Sequence, residues 1–246
     1  MPTPPTLPPP TNTSASTPKA LARHVIVVGG GAPPPATLAA HLLAADLVVC
    51  ADLGYEHARA LGLRPSLIIG DFDSLDEAGL AAAQADGVRV ERHPPAKDST
   101  DLELALDAAV RAVAGQNGPV SFTVIATPDI DERIDHLLSQ LGLLASPAYD
   151  AFSVDAWFGQ SRVHIVGPGP ARRMTSVAGE LVTILAIGGD VEGVETDGLL
   201  YPLRRETLTP FTTRGVSNVA ESASFAVSCL HGRLAIIRPH ALKGHS

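Results

Sequence analysis

Across the first half of the chain, short aliphatic runs alternate with longer stretches in which apolar residues recur every three or four positions. The runs are His24 to Val28, Leu47 to Ala51, Leu67 to Ile69, Val88 to Val90 and Val120 to Ile125. They are rich in β-branched side chains and short enough to be buried strands. Between them, Leu102, Ala105, Leu106, Ala109, Val110 and Val113 keep the i, i+3, i+4 spacing of a helix face, as do Ile134, Leu137, Leu138 and Leu141. Strand alternating with helix predicts a parallel, Rossmann-like α/β domain, because parallel neighbours need a crossover between them.

The pattern changes at Ser146-Pro147. Helical periodicity stops, and strand-like segments separated by Gly, Pro and Asp take over: Ala151 to Phe158, Val163 to Val166, Leu181 to Ile187, Ser224 to Leu230 and Leu234 to Ile237. This texture predicts a C-terminal antiparallel β-sandwich or barrel. The expected organisation is an α/β domain over 21–147 and an all-β domain over 148–246. A Pro, Thr and Ser-rich disordered tail over 1–20 precedes them, with neither the basic start nor the apolar core of a signal peptide.

Charge and cysteine usage narrow the function class. With 26 acidic against 18 basic side chains and a net charge of -8, the chain lacks the basic footprint that holds a nucleic-acid backbone. No apolar run is long enough to span a bilayer. Cys50 and Cys229 each sit in an apolar run, which suits buried thiols better than a disulfide framework. A cytoplasmic protein is expected.

The candidate chemistry lies where the strands end. Asp52 closes the second run, Asp71 and Asp73 follow the third, Asp98 and Asp101 the fourth, and Asp129, Asp131 and Asp135 the fifth. In one parallel sheet all of these acids reach the same rim, where open α/β sheets bind ligands. Their mutual repulsion asks for a cation, and Mg²⁺ holding an oligophosphate fits oxygen ligands best. In Gly70-Asp71-Phe72-Asp73-Ser74, Ser74 with Glu77 reads as a capping box, which leaves Asp71 and Asp73 unexplained without a cation. Lys97-Asp98-Ser99-Thr100-Asp101-Leu102-Glu103 holds a second capping box, Thr100 with Glu103, whose helix start also offers N–H groups to a phosphate. Before Arg133-Ile134-Asp135-His136, Thr127-Pro128 reads as an N-cap with Pro at the first helical position. Arg133 is either the surface partner of Asp129 or a fork for a phosphate. His136 is expected to pack or cap. Gly29-Gly30-Gly31 is either a phosphate nest or a tight turn.

Together these motifs resemble the thiamine pyrophosphokinase family. They occur in the family's order and are joined by Gly198-Leu199-Leu200-Tyr201-Pro202-Leu203 and by Ser217-Asn218. The resemblance implies transfer of the pyrophosphoryl group of ATP to the hydroxyl of thiamine, giving thiamine diphosphate and AMP. It implies Mg²⁺, ATP as co-substrate, and a homodimer with thiamine bound where the subunits meet. Asp71, Asp73 and Asp101 would hold the metal, and with Asp98 and Arg133 would form the catalytic set. Asp52, Lys97, Ser99, Thr100, Arg133 and Asp135 would bind ATP, and Tyr201, Ser217 and Asn218 would face thiamine. The chain departs from the family where Asp52-Leu53-Gly54 stands for Asp-Gly-Gly, and where 127–132 replaces a Gly-rich approach. Two other readings stay open: a haloacid-dehalogenase-type phosphatase using Asp71 as nucleophile, and a thiamine or nucleotide sensor without turnover.

Overall fold

The computed structural model describes residues 24–72, 77–94, 98–129 and 132–243. The expected tail, Ser74 of the Ser74–Glu77 capping box, Asp73, Lys97 and Asp131 lie outside them. The strands are β1 (His24–Gly31), β2 (Leu47–Ala51), β3 (Leu67–Gly70), β4 (Arg89–Arg92), β5 (Ser121–Thr127), β6 (Ser153–Phe158), β7 (Ser161–Val166), β8 (Arg172–Thr175), β9 (Leu181–Asp197), β10 (Arg204–Leu208), β11 (Asn218–Val219), β12 (Ser224–Ser228) and β13 (His231–Arg238). The α-helices are α1 (Gly54–Ala60), α2 (Glu77–Ala85), α3 (Asp101–Val113) and α4 (Ile134–Leu144).

One 13-stranded sheet runs β4-β3-β2-β1-β5-β6-β7-β13-β9-β12-β8, with β10 and β11 also paired to β9. The strands from β4 through β6 are parallel and those from β7 onward antiparallel. This is a mixed sheet with a parallel N-terminal part and antiparallel C-terminal strands. β6, which the pattern placed with the antiparallel strands, pairs parallel with β5, so parallel pairing continues past Ser146-Pro147. The apolar cluster under α3 likewise spans that point, joining Val25, Val49, Leu106 and Phe122 to Val154, Val163 and Ala235.

The helix face read from the sequence at Leu102, Ala105, Leu106, Ala109 and Val113 is buried, and α3 lies against β1, β2 and β3. A second cluster, including Ile26, Val28, Val48, Cys50, Ile68 and Ile125, fills the other face. A third belongs to the C-terminal strands, with Val182, Ile184, Val191, Phe225 and Ile236. Both cysteines are buried and unpaired, and burial pushes the Cys50 thiol well above its ordinary range.

Two expectations are corrected by local geometry. The helix placed at Thr127-Pro128 begins at Ile134, with Arg133 in the N-cap position and no side-chain cap. Thr127 instead ends β5: its carbonyl accepts from the Ala32 N–H at 2.8 Å, and its hydroxyl donates to the Ala32 carbonyl. The segment seen as Leu181 to Ile187 extends to Asp197. Gly188 and Gly193, both at positive φ, look like turn signals in the sequence but let β9 bend from β13 toward β10 and β12.

Where the two halves of the sheet meet, Asp155 on β6 accepts from His164 Nδ1 at 2.9 Å and from Arg162 Nη2 at 3.1 Å. Arg172 closes the cluster on the other carboxylate oxygen shared with His164. Burial by itself would raise the Asp155 pKa. The hydrogen bond from His164 and the surrounding positive charge outweigh it and hold the carboxyl well below the usual range. A carboxyl lowered on folding adds stability that is complete above its ordinary pKa and is lost as pH falls below it. Asp155→Asn is expected to cost about 3 kcal/mol at neutral pH, because two guanidiniums lose their counter-charge. Urea unfolding checks this, and the difference from wild type should shrink below about pH 4.

Candidate active site

The acids meet at the C-terminal ends of the parallel strands because the backbone turns sharply there. Asp52 follows β2 with φ 42, and its N–H donates to the Ile69 carbonyl at 3.0 Å. Its Oδ1 accepts from the Phe72 N–H at 3.0 Å. Phe72, at φ 62, is buried, with the Arg92 guanidinium 4.9 Å from its ring centroid. Arg92 also donates to the Asp71 carbonyl at 3.0 Å. The turn after β3 is thereby fixed from both sides, and it carries Asp71 to the rim.

Two glycines make this packing possible. A Cβ on Gly70 would stand 1.9 Å from Asp52 Oδ1, and one on Gly54 would stand 2.1 Å from the Val28 carbonyl oxygen. The first lets the Asp52 carboxylate lie flat on the β3 backbone. The second brings the start of α1 against β1. The Leu53 that departs from the family pattern precedes this contact and lines the cleft.

Asp101 arrives from the start of α3, where Thr100 is the N-cap and its Oγ1 accepts from the Glu103 N–H at 3.3 Å, the Thr100 half of the expected capping box. A cleft of about 590 Å³ at this rim is lined by Gly29 to Ala32, Asp52, Asp71, Thr100, Asp101, Asp129, Arg133 and His136, among others. Its volume suits a nucleotide-sized ligand. Burial, followed by the Asp101 and Asp71 charges, pushes Asp52 up to about 7 against the opposing Phe72 hydrogen bond. Asp52 is thus disfavoured from ionising by burial first and then by its acidic neighbours, a condition that a divalent cation relieves. Among the described residues no group of His, Cys, Asp or Glu is already arranged to hold a metal.

Arg133 lines the same cleft with its fork on Asp135, Nε to Oδ1 at 3.1 Å and Nη2 to Oδ2 at 3.0 Å. The guanidinium holds the Asp135 carboxyl down at about 2. Its partner is therefore Asp135 and not Asp129, whose carbonyl instead accepts the Arg133 N–H at 2.6 Å. His136 contacts the Arg133 guanidinium and lines the cleft, not the core. Ser139 and Gln140 lie beside it. Neither belongs to a charged motif in the sequence, although 136, 139 and 140 have the spacing of one helix face.

Asp98, Ser99 and Asp135 are not among the residues lining the cleft. Tyr201, Ser217 and Asn218 gather elsewhere, beside β9. Asn218 is buried: its Oδ1 accepts from the Tyr201 N–H at 3.0 Å and its Nδ2 donates to the Tyr201 carbonyl at 2.7 Å. Ser217, at φ 58, donates its N–H to Thr183 Oγ1 at 3.1 Å. The Tyr201 side chain is left half-exposed at 55%.

The family model of the thiamin pyrophosphokinase catalytic domain matches residues 39–155, and that of the thiamin pyrophosphokinase vitamin B1 binding domain matches 172–234. The chain belongs to the thiamin pyrophosphokinase family. The thiamine pyrophosphokinase of Bacillus subtilis (strain 168) is 24% identical over 184 residues, covering 72% of this chain and 79% of that one. The crystal structure of thiamin pyrophosphokinase from Geobacillus thermodenitrificans aligns with a TM-score of 0.71 at 26% identity, over 91% of this chain and 99% of that one. Thiamin pyrophosphokinase from Candida albicans, at 14% identity and a TM-score of 0.71, shares the fold over 89% of each chain. The family reaction is pyrophosphoryl transfer from ATP to thiamine. The cleft with its acids falls in the catalytic match, apart from the Gly29 to Ala32 loop, and Tyr201, Ser217 and Asn218 fall in the vitamin B1 binding match.

Proposed function

We propose that this chain is a thiamine diphosphokinase whose ATP site is the rim cleft over 21–147 and whose thiamine side lies over 148–246. The observation that carries this reading is the meeting of Asp52, Asp71, Asp101 and Arg133 in one nucleotide-sized cleft. Asp71 and Asp101, with Asp73, would hold Mg²⁺. When bound, the ion supplies positive charge to the phosphate oxygens. The raised Asp52 pKa, caused first by burial and then by the Asp101 and Asp71 charges, supports a cation at this place.

The chain's own residues mainly position and neutralise, since phosphoryl-type transfer asks for alignment more than covalent chemistry. The start of α3 presents N–H groups beside Thr100 to the polyphosphate, with Lys97 and Ser99 preceding it. Arg133 exchanges part of its fork on Asp135 for phosphate oxygens, and Asp135 keeps the guanidinium aimed. Asp98 or Asp101 takes the proton of the thiamine hydroxyl. Tyr201, Ser217 and Asn218 serve thiamine across a homodimer; the Asn218 carboxamide, bonded to the Tyr201 backbone, fixes the loop that presents that ring.

Incubation of the protein with ATP, Mg²⁺ and thiamine, followed by chromatography, should show AMP and thiamine diphosphate in equal amounts. Release of free phosphate would favour the aspartyl-phosphatase alternative, and no product would favour a sensor. Arg133→Gln is expected to lower kcat by about a hundredfold or more, since it removes a charge from the transferred group. Steady-state kinetics measure this, and an unchanged kcat would remove Arg133 from the site.

A further inference from the structure

A second, smaller pocket opens at the opposite end of the same strands. Its walls include the strand starts His24, Ser121 and Ser153, and it holds Asp155, Trp157, Arg162 and Arg172. Its volume is about 120 Å³. That is too small for a nucleotide and several times what one water molecule needs.

The charges in this pocket do not balance. Asp155 is the sole acid among the described residues lining it, yet two guanidiniums face it. Arg162 gives Nη2 to Asp155 Oδ2, while its Nε is buried with no acceptor among the described residues. Arg172 gives Nη1 to the Ile165 carbonyl at 2.9 Å and Nη2 to Asp155. Burial, with the two guanidiniums behind it, holds the neighbouring His164 below the usual histidine range against the pull of Asp155. The His24 ring nitrogens are engaged by the Ala44 carbonyl and Thr123 Oγ1. Asp46, which takes the His24 N–H, does not line the pocket. One positive charge and one buried guanidinium donor are left over, an arrangement that costs free energy unless an acceptor arrives.

We infer that this pocket binds a small inorganic oxyanion of the phosphate class, held by Arg162 and Arg172 at the rim opposite the catalytic cleft. Arg162 and Arg172 line this space together with Ser121 and Ser153. Trp157 reports occupancy directly. It is the sole tryptophan of the chain, it is buried, and the Arg162 guanidinium stands 5.4 Å from its ring centroid.

The test is a titration of the full chain with inorganic phosphate at fixed pH and matched ionic strength, without nucleotide or divalent cation, reading Trp157 fluorescence. Wild type should give a saturable response. Arg162→Met should bind roughly ten- to a hundredfold more weakly, the loss of a charge-assisted hydrogen bond. Ser153→Glu, at an exposed strand start, should weaken binding similarly without touching the ion cluster. Arg133→Gln in the catalytic cleft should leave the response unchanged. No saturable response in wild type, an unaltered affinity in Ser153→Glu, or loss of the response in Arg133→Gln would overturn the assignment.

Discussion

Replacing Asp71 or Asp101 by Asn is expected to lower AMP and thiamine diphosphate formation by at least about a thousandfold, with the folded state intact. The amide has the shape of the carboxylate but not its charge, so it cannot share a cation with the polyphosphate. Both residues lie at the rim and line the cleft, and neither is part of the apolar clusters under the sheet. Circular dichroism and the unfolding midpoint should therefore match wild type while product chromatography shows the loss. Near-normal turnover in both variants would remove the acids from the chemistry.

Gly70→Ala should be almost as damaging, by another route. Gly70 sits at φ 155, and an added Cβ would come within 1.9 Å of Asp52 Oδ1 and 2.4 Å of its Cγ. The Asp52 carboxylate must then leave the β3 backbone and release the Phe72 N–H. The turn that carries Asp71 is displaced with it. A fall in kcat of about a hundredfold is expected, consistent with the sensitivity of catalysis to misplacement of about an ångström. Gly62→Ala is the control. That residue also has a positive φ, 74, but an added Cβ meets nothing within 4 Å, so it should lose some stability and keep its turnover.

The contrast between these two glycines shows what the sequence could and could not reveal. Strand ends were legible because aliphatic runs stop at acids: Asp52 follows Ala51, and Asp71 follows Gly70. The Thr100 and Glu103 pair was legible because a helix cap is a contact between near neighbours. The role of Gly70 was not, since it depends on Asp52 crossing from the adjacent strand. Thr127 was misplaced for a similar reason. Its spacing suits a helix cap, but its hydroxyl and carbonyl go to Ala32, a residue distant in sequence.

The C-terminal half was harder to read. β9 hides its length behind glycines, and nothing within Ser153–Phe158 says that its partner β5 runs in the same direction. The tethering of Tyr201 by Asn218 joins two separate loops. Sequence pattern registers local periodicity well and long-range pairing poorly.

If these carboxylates engage the polyphosphate through a divalent cation, removing one of them weakens ATP binding only while the metal is present. Calorimetric titration with ATP, in Mg²⁺ and again in EDTA, tests it most directly when wild type and Asp101→Asn are compared. The expected result is that Asp101→Asn binds ATP at least about tenfold more weakly in Mg²⁺. In EDTA, where a carboxylate only repels the nucleotide, it should bind no more weakly than wild type. Equal affinities of the two proteins in Mg²⁺, or the same weakening with and without the metal, would show that Asp101 does not act through a cation.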